Sequence, residues 1–367
     1  MKNLGLAFAV SVLISMNSFS QVKKQAPIKG VWLTNVASKV LDSRKNIIEA
    51  VNLCKQSGIN TIFIVTWNRG NTLYPSEIMK KEFGVQIDPR FKGRDPLQEL
   101  IEEAHKKHIK VHAWFEFGFS SSYKENGGNI LKKHPEWAAI NNEGKLVIKN
   151  SFEWMNAFLP EVQNFVNSLI IEVVKKYDVD GIQGDDRLPA QPSTAGYDAY
   201  TVNEYKKEHD GNNPPSDYKN PAWLTWRSNR LNAYLKDLYQ AVKKEKPNML
   251  VTMAPSIFPW SKEEYLQDWP TWLNEGYVDY VFPQIYRYDF KKYKAALEAN
   301  LKYISPEKKS LFYPGILLKV DEYTPDSKFL TEMIKLNREN GVMGEVFFFY
   351  EGLKLHSEYF KSYSKRK

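Results

Sequence analysis

The stretch Val179-Asp180-Gly181-Ile182-Gln183-Gly184-Asp185-Asp186 decides how this chain folds. After Asp180 it is a short, uncharged run that ends on two carboxylates. The segment before it, 161–177, carries Val162, Phe165, Val166, Leu169, Ile170 and Val173 at helical spacing. A second helical pattern, 222–245, follows until Pro247 stops it. Helix, strand, helix is the repeating element of a parallel sheet.

Working outward, the same unit recurs. Strand-like runs lie at 30–35, 61–67, 110–117, 181–186, 250–256, 280–286, 311–316 and 345–351. Most are continuous apolar runs, as strands buried on both faces should be. Helical patterns alternate with them at 42–57, 96–108, 161–177, 222–245, 271–276, 291–303, 328–340 and 354–363. Eight such units predict a closed (β/α)8 TIM barrel built as a single domain. An open doubly wound sheet is the alternative, weakened by the lack of a GxGxxG turn after the first strand. Two connections are long, from 118 to about 160 after the third strand and from 187 to about 221 after the fourth. Both leave the strand ends at which barrel enzymes build their sites.

Composition fits a large globular core, with 43% hydrophobic and 26% charged residues. That balance excludes disorder, collagen and coiled coil as whole-chain readings. The aromatic content, 10 Trp, 21 Tyr and 20 Phe, is rich. Phe63 and Phe347 to Phe349 fall in buried strands, whereas Trp67, Trp114, Trp137, Trp154, Tyr197, Tyr286 and Tyr350 fall at strand ends or in the long loops. The net charge of +8 could attract polyanions. However, the lysines scatter over helix faces, and no RNP1, zinc-finger or basic-zipper pattern occurs, so nucleic acid is not expected as a partner. The closing Lys365-Arg366-Lys367 reads as a frayed tail.

The start reads as a secretory signal. Met1-Lys2-Asn3 precedes an apolar run over 4–14, and Ser18-Phe19-Ser20 supplies small residues for a cut before Gln21. Residues 1–20 are thus expected to be removed, leaving 21–367 as an exported barrel, periplasmic or extracellular. No later run approaches the length of a membrane span. The single cysteine, Cys54, sits on an apolar helix stripe and reads as a buried structural thiol.

Candidate chemistry lies at the strand ends. Gln183 and Asp185 share strand parity and should face the barrel mouth, with Asp186 at the turn into the loop. Two adjacent carboxylates there repel, which keeps one protonated and suits a general acid. The bland alternative is a loop cap plus an ion pair with Arg187 or Arg227. The third strand places His112, Trp114 and Glu116 on one face, although a lone His is more often a core residue. Asn35, Trp67, Gln284, Tyr286, Tyr350 and Glu351 end other strands. Carboxylates, amides and rings together suit a sugar. Zinc motifs, a GxSxG elbow and a phosphate loop are absent, so no metal or cofactor is expected.

Several motifs resemble those of the glycosyl-hydrolase-like family 10 proteins of bacteria. Gly30-Val31-Trp32-Leu33-Thr34 is similar to the family's opening, and Asp95-Pro96-Leu97 with His112-Ala113-Trp114-Phe115 resembles its "DPL … HAWF" pair. Trp226-Arg227 and Val278-Asp279-Tyr280-Val281-Phe282-Pro283-Gln284-Ile285-Tyr286 resemble later family motifs. The family's fourth strand typically reads D-G-[IV]-H-F-D-D-Y. Here both acids stand, but Gln183, Gly184 and Arg187 replace the His, Phe and Tyr. The resemblance implies a glycoside hydrolase with Asp185 as nucleophile or electrostatic stabiliser. Asp186, Glu116 or Glu351 would then be the general acid. Asn35, His112, Gln183, Gln284 and Tyr286 would bind hydroxyls, and Trp67, Trp114 and Tyr350 would contribute rings. A carbohydrate is the expected partner. A non-catalytic glycan-binding barrel is the alternative.

Overall fold

The computed structural model describes residues 26–364. The expected signal peptide, its cleavage point and the basic tail lie outside them. Eight parallel strands form the sheet: β1 (Lys29–Leu33), β2 (Thr61–Val65), β3 (Lys110–Trp114), β4 (Gly181–Gly184), β5 (Leu250–Met253), β6 (Tyr280–Val281), β7 (Gly315–Leu317) and β8 (Glu345–Phe348). Their spatial order is β6-β5-β4-β3-β2-β1-β8-β7. Parallel bridges Val281–Phe312 and Gln284–Gly315 join the two ends and close the ring. The amide of Gly315 donates to the Pro283 carbonyl at 2.8 Å across this seam. The fold is the expected (β/α)8 barrel.

The helices between the strands are α1 (Arg44–Gln56), α2 (Pro96–His105), α3 (Pro160–Lys176), α4 (Pro221–Glu245), α5 (Trp269–Asn274), α6 (Phe290–Leu301), α7 (Ser327–Glu339) and α8 (Ser357–Tyr363). Their starts are written in the sequence. Ser43, Asp95, Asn220, Asp289 and Asp326 each accept a first-turn amide. Such caps are worth about 1 kcal/mol apiece. Proline opens α2, α3 and α4, where its missing N–H costs nothing. The inner faces bury one continuous core, with Cys54 fully enclosed and its thiol pushed up by burial. Among the described residues no helix is long and apolar enough to cross a membrane.

The third, fifth and sixth strands end early, at Trp114, Met253 and Val281, and the last two strands differ further from expectation. The seventh strand was expected over 311–316 but begins after Pro314, which has no N–H for the ladder. Residues Pro306–Leu311 form a 3-10 turn instead. The eighth strand ends at Phe348, and Tyr350–Leu355 is a short helix. Tyr350 and Glu351 are therefore helical, not strand-end, residues.

Both long loops are ordered. The one after β3 holds a small antiparallel sheet of Ser120–Tyr123, Ile148–Lys149 and Phe152–Trp154, and a helix, Gly128–Lys133. The one after β4 holds the helix Ala199–Glu208. They are tied together where the Phe119 amide donates to the Arg187 carbonyl at 3.0 Å. Gly118 permits this approach: its φ is +48°, and a Cβ there would lie 2.1 Å from the Arg187 oxygen. Arg227 anchors the second loop from α4, donating to the carbonyls of Ser193, Ala195 and Tyr218.

Candidate active site

The carboxylates cluster around one guanidinium at the C-terminal ends of β3 and β4. Asp185 follows β4 directly and is 2% exposed. Its Oδ2 accepts from Trp114 Nε1 at 2.7 Å, while Oδ1 accepts from the Asp186 amide and, at 3.5 Å, from Gln284 Nε2. Asp186 pairs with Arg187 Nη1 at 2.8 Å. Arg187 Nη2 lies 3.6 Å from Asp185 Oδ1 and 3.7 Å from Glu116 Oε1. Its Nε donates to the Glu116 carbonyl at 2.8 Å, and its face rests 4.6 Å from the Phe152 ring centre. Glu116 Oε2 accepts from Asn68 Nδ2 at 2.5 Å.

The electrostatics follow from three acids sharing one cation out of water. Burial, then the Asp186 charge, pushes the Asp185 carboxyl well above the usual carboxylate range; Arg187 opposes this. Burial likewise raises Glu116, against the pull of Arg187 and Asn68. Burial alone would lower the Arg187 guanidinium, but Asp186, Asp185 and Glu116 outweigh it and hold it above its ordinary value. Tyr286 lies within the same field: burial, then Asp185 and Asp186, hold its phenol well up, so it stays neutral.

The expected site residues thus divide. Asp185, Asp186, Glu116, Trp114, Gln284 and Tyr286 come together. Gln183 points into the barrel, fully buried, and accepts from Trp32 Nε1 at 2.6 Å. Asn35 is buried beside a cavity at the β1 and β2 ends. Glu351 does not join the cluster: Ser38 donates to it at 2.8 Å and Lys354 pairs with it at 2.9 Å. His112 is a core residue after all, its ring edge-on to Phe63 at 4.9 Å and neither nitrogen partnered. Burial lowers its pKa to about 3.

The expected stacking rings need correction. Trp67 is fully buried, bonded to the Gly118 carbonyl and packed on Phe165. Tyr350, Trp137 and Trp154 are buried too, and Trp114 serves as a hydrogen-bond donor rather than as a platform. Trp67 and Trp137 pack on Phe165 and Trp154 on Tyr265, cover that position at a strand end or in a loop does not reveal. Among the described residues the exposed rings are Tyr288 at 61%, edge-on to Tyr323, Trp260 at 43% and Tyr303 at 41%. Asn68 was not expected in the site, and Arg187 was expected only as an alternative ion-pair partner of the acidic pair, the contact that it makes with Asp186.

A barrel whose strand ends gather acids, an amide and a phenol has the layout of a glycoside hydrolase. The sequence profile described as glycosyl hydrolase-like 10 matches residues 27–317. This chain belongs to that family. Glycosyl hydrolase DigH of Escherichia coli K12 is 25% identical over 331 residues, covering 81% of this chain and 71% of that one. Glycosyl hydrolase YngK of Bacillus subtilis is 23% identical over 314 residues, covering 75% of this chain and 57% of that one. Among solved structures, the PgaB (BpsB) glycoside hydrolase domain from Bordetella bronchiseptica superposes with a TM-score of 0.69 at 12% identity, covering 93% of this chain and 99% of that domain. The β-amylase catalytic domain from Paenibacillus polymyxa gives 0.62 at 10% identity, covering 93% and 100%. These likenesses share the barrel.

Proposed function

We propose that the protein is an exported glycoside hydrolase that cleaves a glycosidic bond with the carboxylates at the ends of β3 and β4. The observation that carries this is the pair Asp185 and Glu116, two carboxyls that share Nη2 of Arg187 at the ends of β4 and β3. Asp185 receives three N–H donors, which favour its charged form against the burial that raises it. It is the nucleophile or the stabiliser of an oxocarbenium-like transition state. Glu116, raised by burial and less richly supplied with donors than Asp185, is the general acid. Asp186 is held in an ion pair and keeps Arg187 in place. Gln284 and Tyr286 meet substrate hydroxyls. The apolar start before Gln21 supports export.

The test is Asp185→Asn against a panel of bacterial-envelope and host glycans. Wild type cleaves a member of the panel, and the variant loses roughly 10³-fold or more in kcat, the scale of removing a catalytic carboxylate. A variant as fast as wild type refutes the assignment. A second reading, a non-catalytic glycan-binding barrel, draws on one observation: Arg187 contacts all three acids where the family pattern carries a tyrosine. It predicts calorimetric binding of an oligosaccharide with no product after long incubation.

A further inference from the structure

We propose that Asn35, Asn68 and Arg69 form a sugar-binding subsite beside Glu116, in which Asn68 links occupancy of the subsite to the orientation of that carboxyl. The proposal rests on the glycoside hydrolase reading and names where one sugar unit of the substrate sits.

A cavity of about 470 Å³ opens between the C-terminal ends of β1 and β2, with Asn35, Asn68, Arg69, Asn71, Asp88 and Arg90 in its walls. That volume falls among ligand clefts of roughly 300–1,000 Å³. Two features mark it as built for a ligand. First, Asn35 Oδ1 and Asn68 Oδ1 are buried without a hydrogen-bond partner, in residues only 7% and 2% exposed. A buried acceptor left unpaired costs about 1–3 kcal/mol. Both belong to residues in the cavity wall, so a small shift of that wall lets a bound hydroxyl donate to them. Second, Arg69 has no carboxylate within ion-pair distance among the described residues; its guanidinium lies 5.4 Å from the Tyr123 ring centre. Arg90, in contrast, is taken up by Asp88 at 2.6 Å.

The cavity wall therefore holds two unpaired acceptors, closed to water as they stand, and one uncommitted donor fork. A sugar matches this, because each hydroxyl both donates and accepts. Asn68 has a special place in the set. Its amide nitrogen is committed to Glu116 Oε2, so its oxygen is the end left for substrate. A hydroxyl donating to that oxygen polarises the amide and strengthens its hold on Glu116. Asn68 is thus a positioning residue, and the subsite lies on the Glu116 side of the scissile bond.

Binding and rate test the idea separately. The wild type, Asn35→Ala and Arg69→Ala are titrated calorimetrically with glucose, galactose, mannose and N-acetylglucosamine, their folding checked by thermal denaturation. At least one sugar binds wild type, and each substitution weakens it about tenfold or more. Absence of binding to wild type, or binding unchanged in both variants, overturns the proposal. With a glycan that wild type cleaves, Asn68→Ala lowers kcat and moves the basic limb of the pH–rate profile upward, since charged Glu116 loses a donor while Arg187, Arg69, Asp185 and Asp186 still face it. A variant with lower kcat and an unmoved profile overturns the role of Asn68. The two readings fail differently. Sugar binding without cleavage of any glycan refutes the hydrolase and leaves the subsite. Cleavage with unchanged KM in Asn35→Ala and Arg69→Ala does the reverse.

Discussion

His112 carries two unpartnered ring nitrogens in the middle of the barrel, and its burial has a measurable consequence. Its folded pKa of about 3 lies below the unfolded value of roughly 6.5. Below pH 6.5 the unfolded chain binds a proton that the native ring refuses. The ring's contribution therefore erodes by about 1.4 kcal/mol per pH unit as pH falls from roughly 6.5 toward 3. His112→Leu removes that slope and costs little at pH 7, because no hydrogen bond is lost. Urea titrations at pH 7 and pH 5 check this; equal pH sensitivity in the two proteins would sink it. Arg187 is the opposite case, a buried cation that three acids need. Arg187→Met destabilises by roughly 3–5 kcal/mol, the scale of breaking a buried pair. In Arg187→Met, which removes the cation, Glu116 and Asp185 rise further, so both limbs of the pH–rate profile move to higher pH, and Arg187→Lys, which keeps a charge, moves them less. A profile that stays put in both variants contradicts the role given to Arg187.

At the scale of elements, β4 and the turn that leaves it set the chemistry. Gly184 stands where the family pattern has Phe. A Cβ there would lie 2.3 Å from both the Leu188 carbonyl oxygen and Met253 Sδ. The missing side chain lets the chain fold back over the strand end and deliver Asp185 to Trp114. Gly184→Ala is expected to cost about 1–3 kcal/mol by overpacking and to lower kcat by displacing Asp185. Thermal denaturation and a rate measurement together decide it; an unshifted melting point with full activity would show that the turn yields freely. These elements were legible where periodicity and caps are strong: β4, α3 and α4 lie within one or two residues of their expected bounds. The rings were less legible. Trp67 and Trp154 sit at a strand end and in a long loop, yet tertiary packing on Phe165 and Tyr265 buries them. Hydrophobic pattern reports the partner sheet or helix of a regular element well, but it carries no signal for such cover at a strand end or in a loop. The acid pair was legible because carboxylates ending an apolar strand are rare; Arg187 was legible as a possible partner, but its reach to Glu116 as well was not.

For the molecule as a whole, the ring has one thin place. The strand pairs from β5 around to β8 and β7 carry continuous ladders, while the seam between β6 and β7 rests on two isolated bridges. Strand β6 itself is two residues long. Amide exchange is therefore expected to be fastest at the seam donors Tyr313 and Gly315 and slowest in β2 and β3, where five consecutive pairs run side by side. Uniform protection around the ring would contradict that ranking. Closure of the barrel also serves as a checkpoint on activity. Gln284 is both the residue that bridges to Gly315 across the seam and the one whose side chain reaches Asp185. A chain that has collapsed but not yet sealed its ring has its acids without Gln284 in register. Recovery of turnover during refolding would then mark the moment of sealing, later than the return of helical signal, and a half-made barrel would be chemically harmless until its last strands dock.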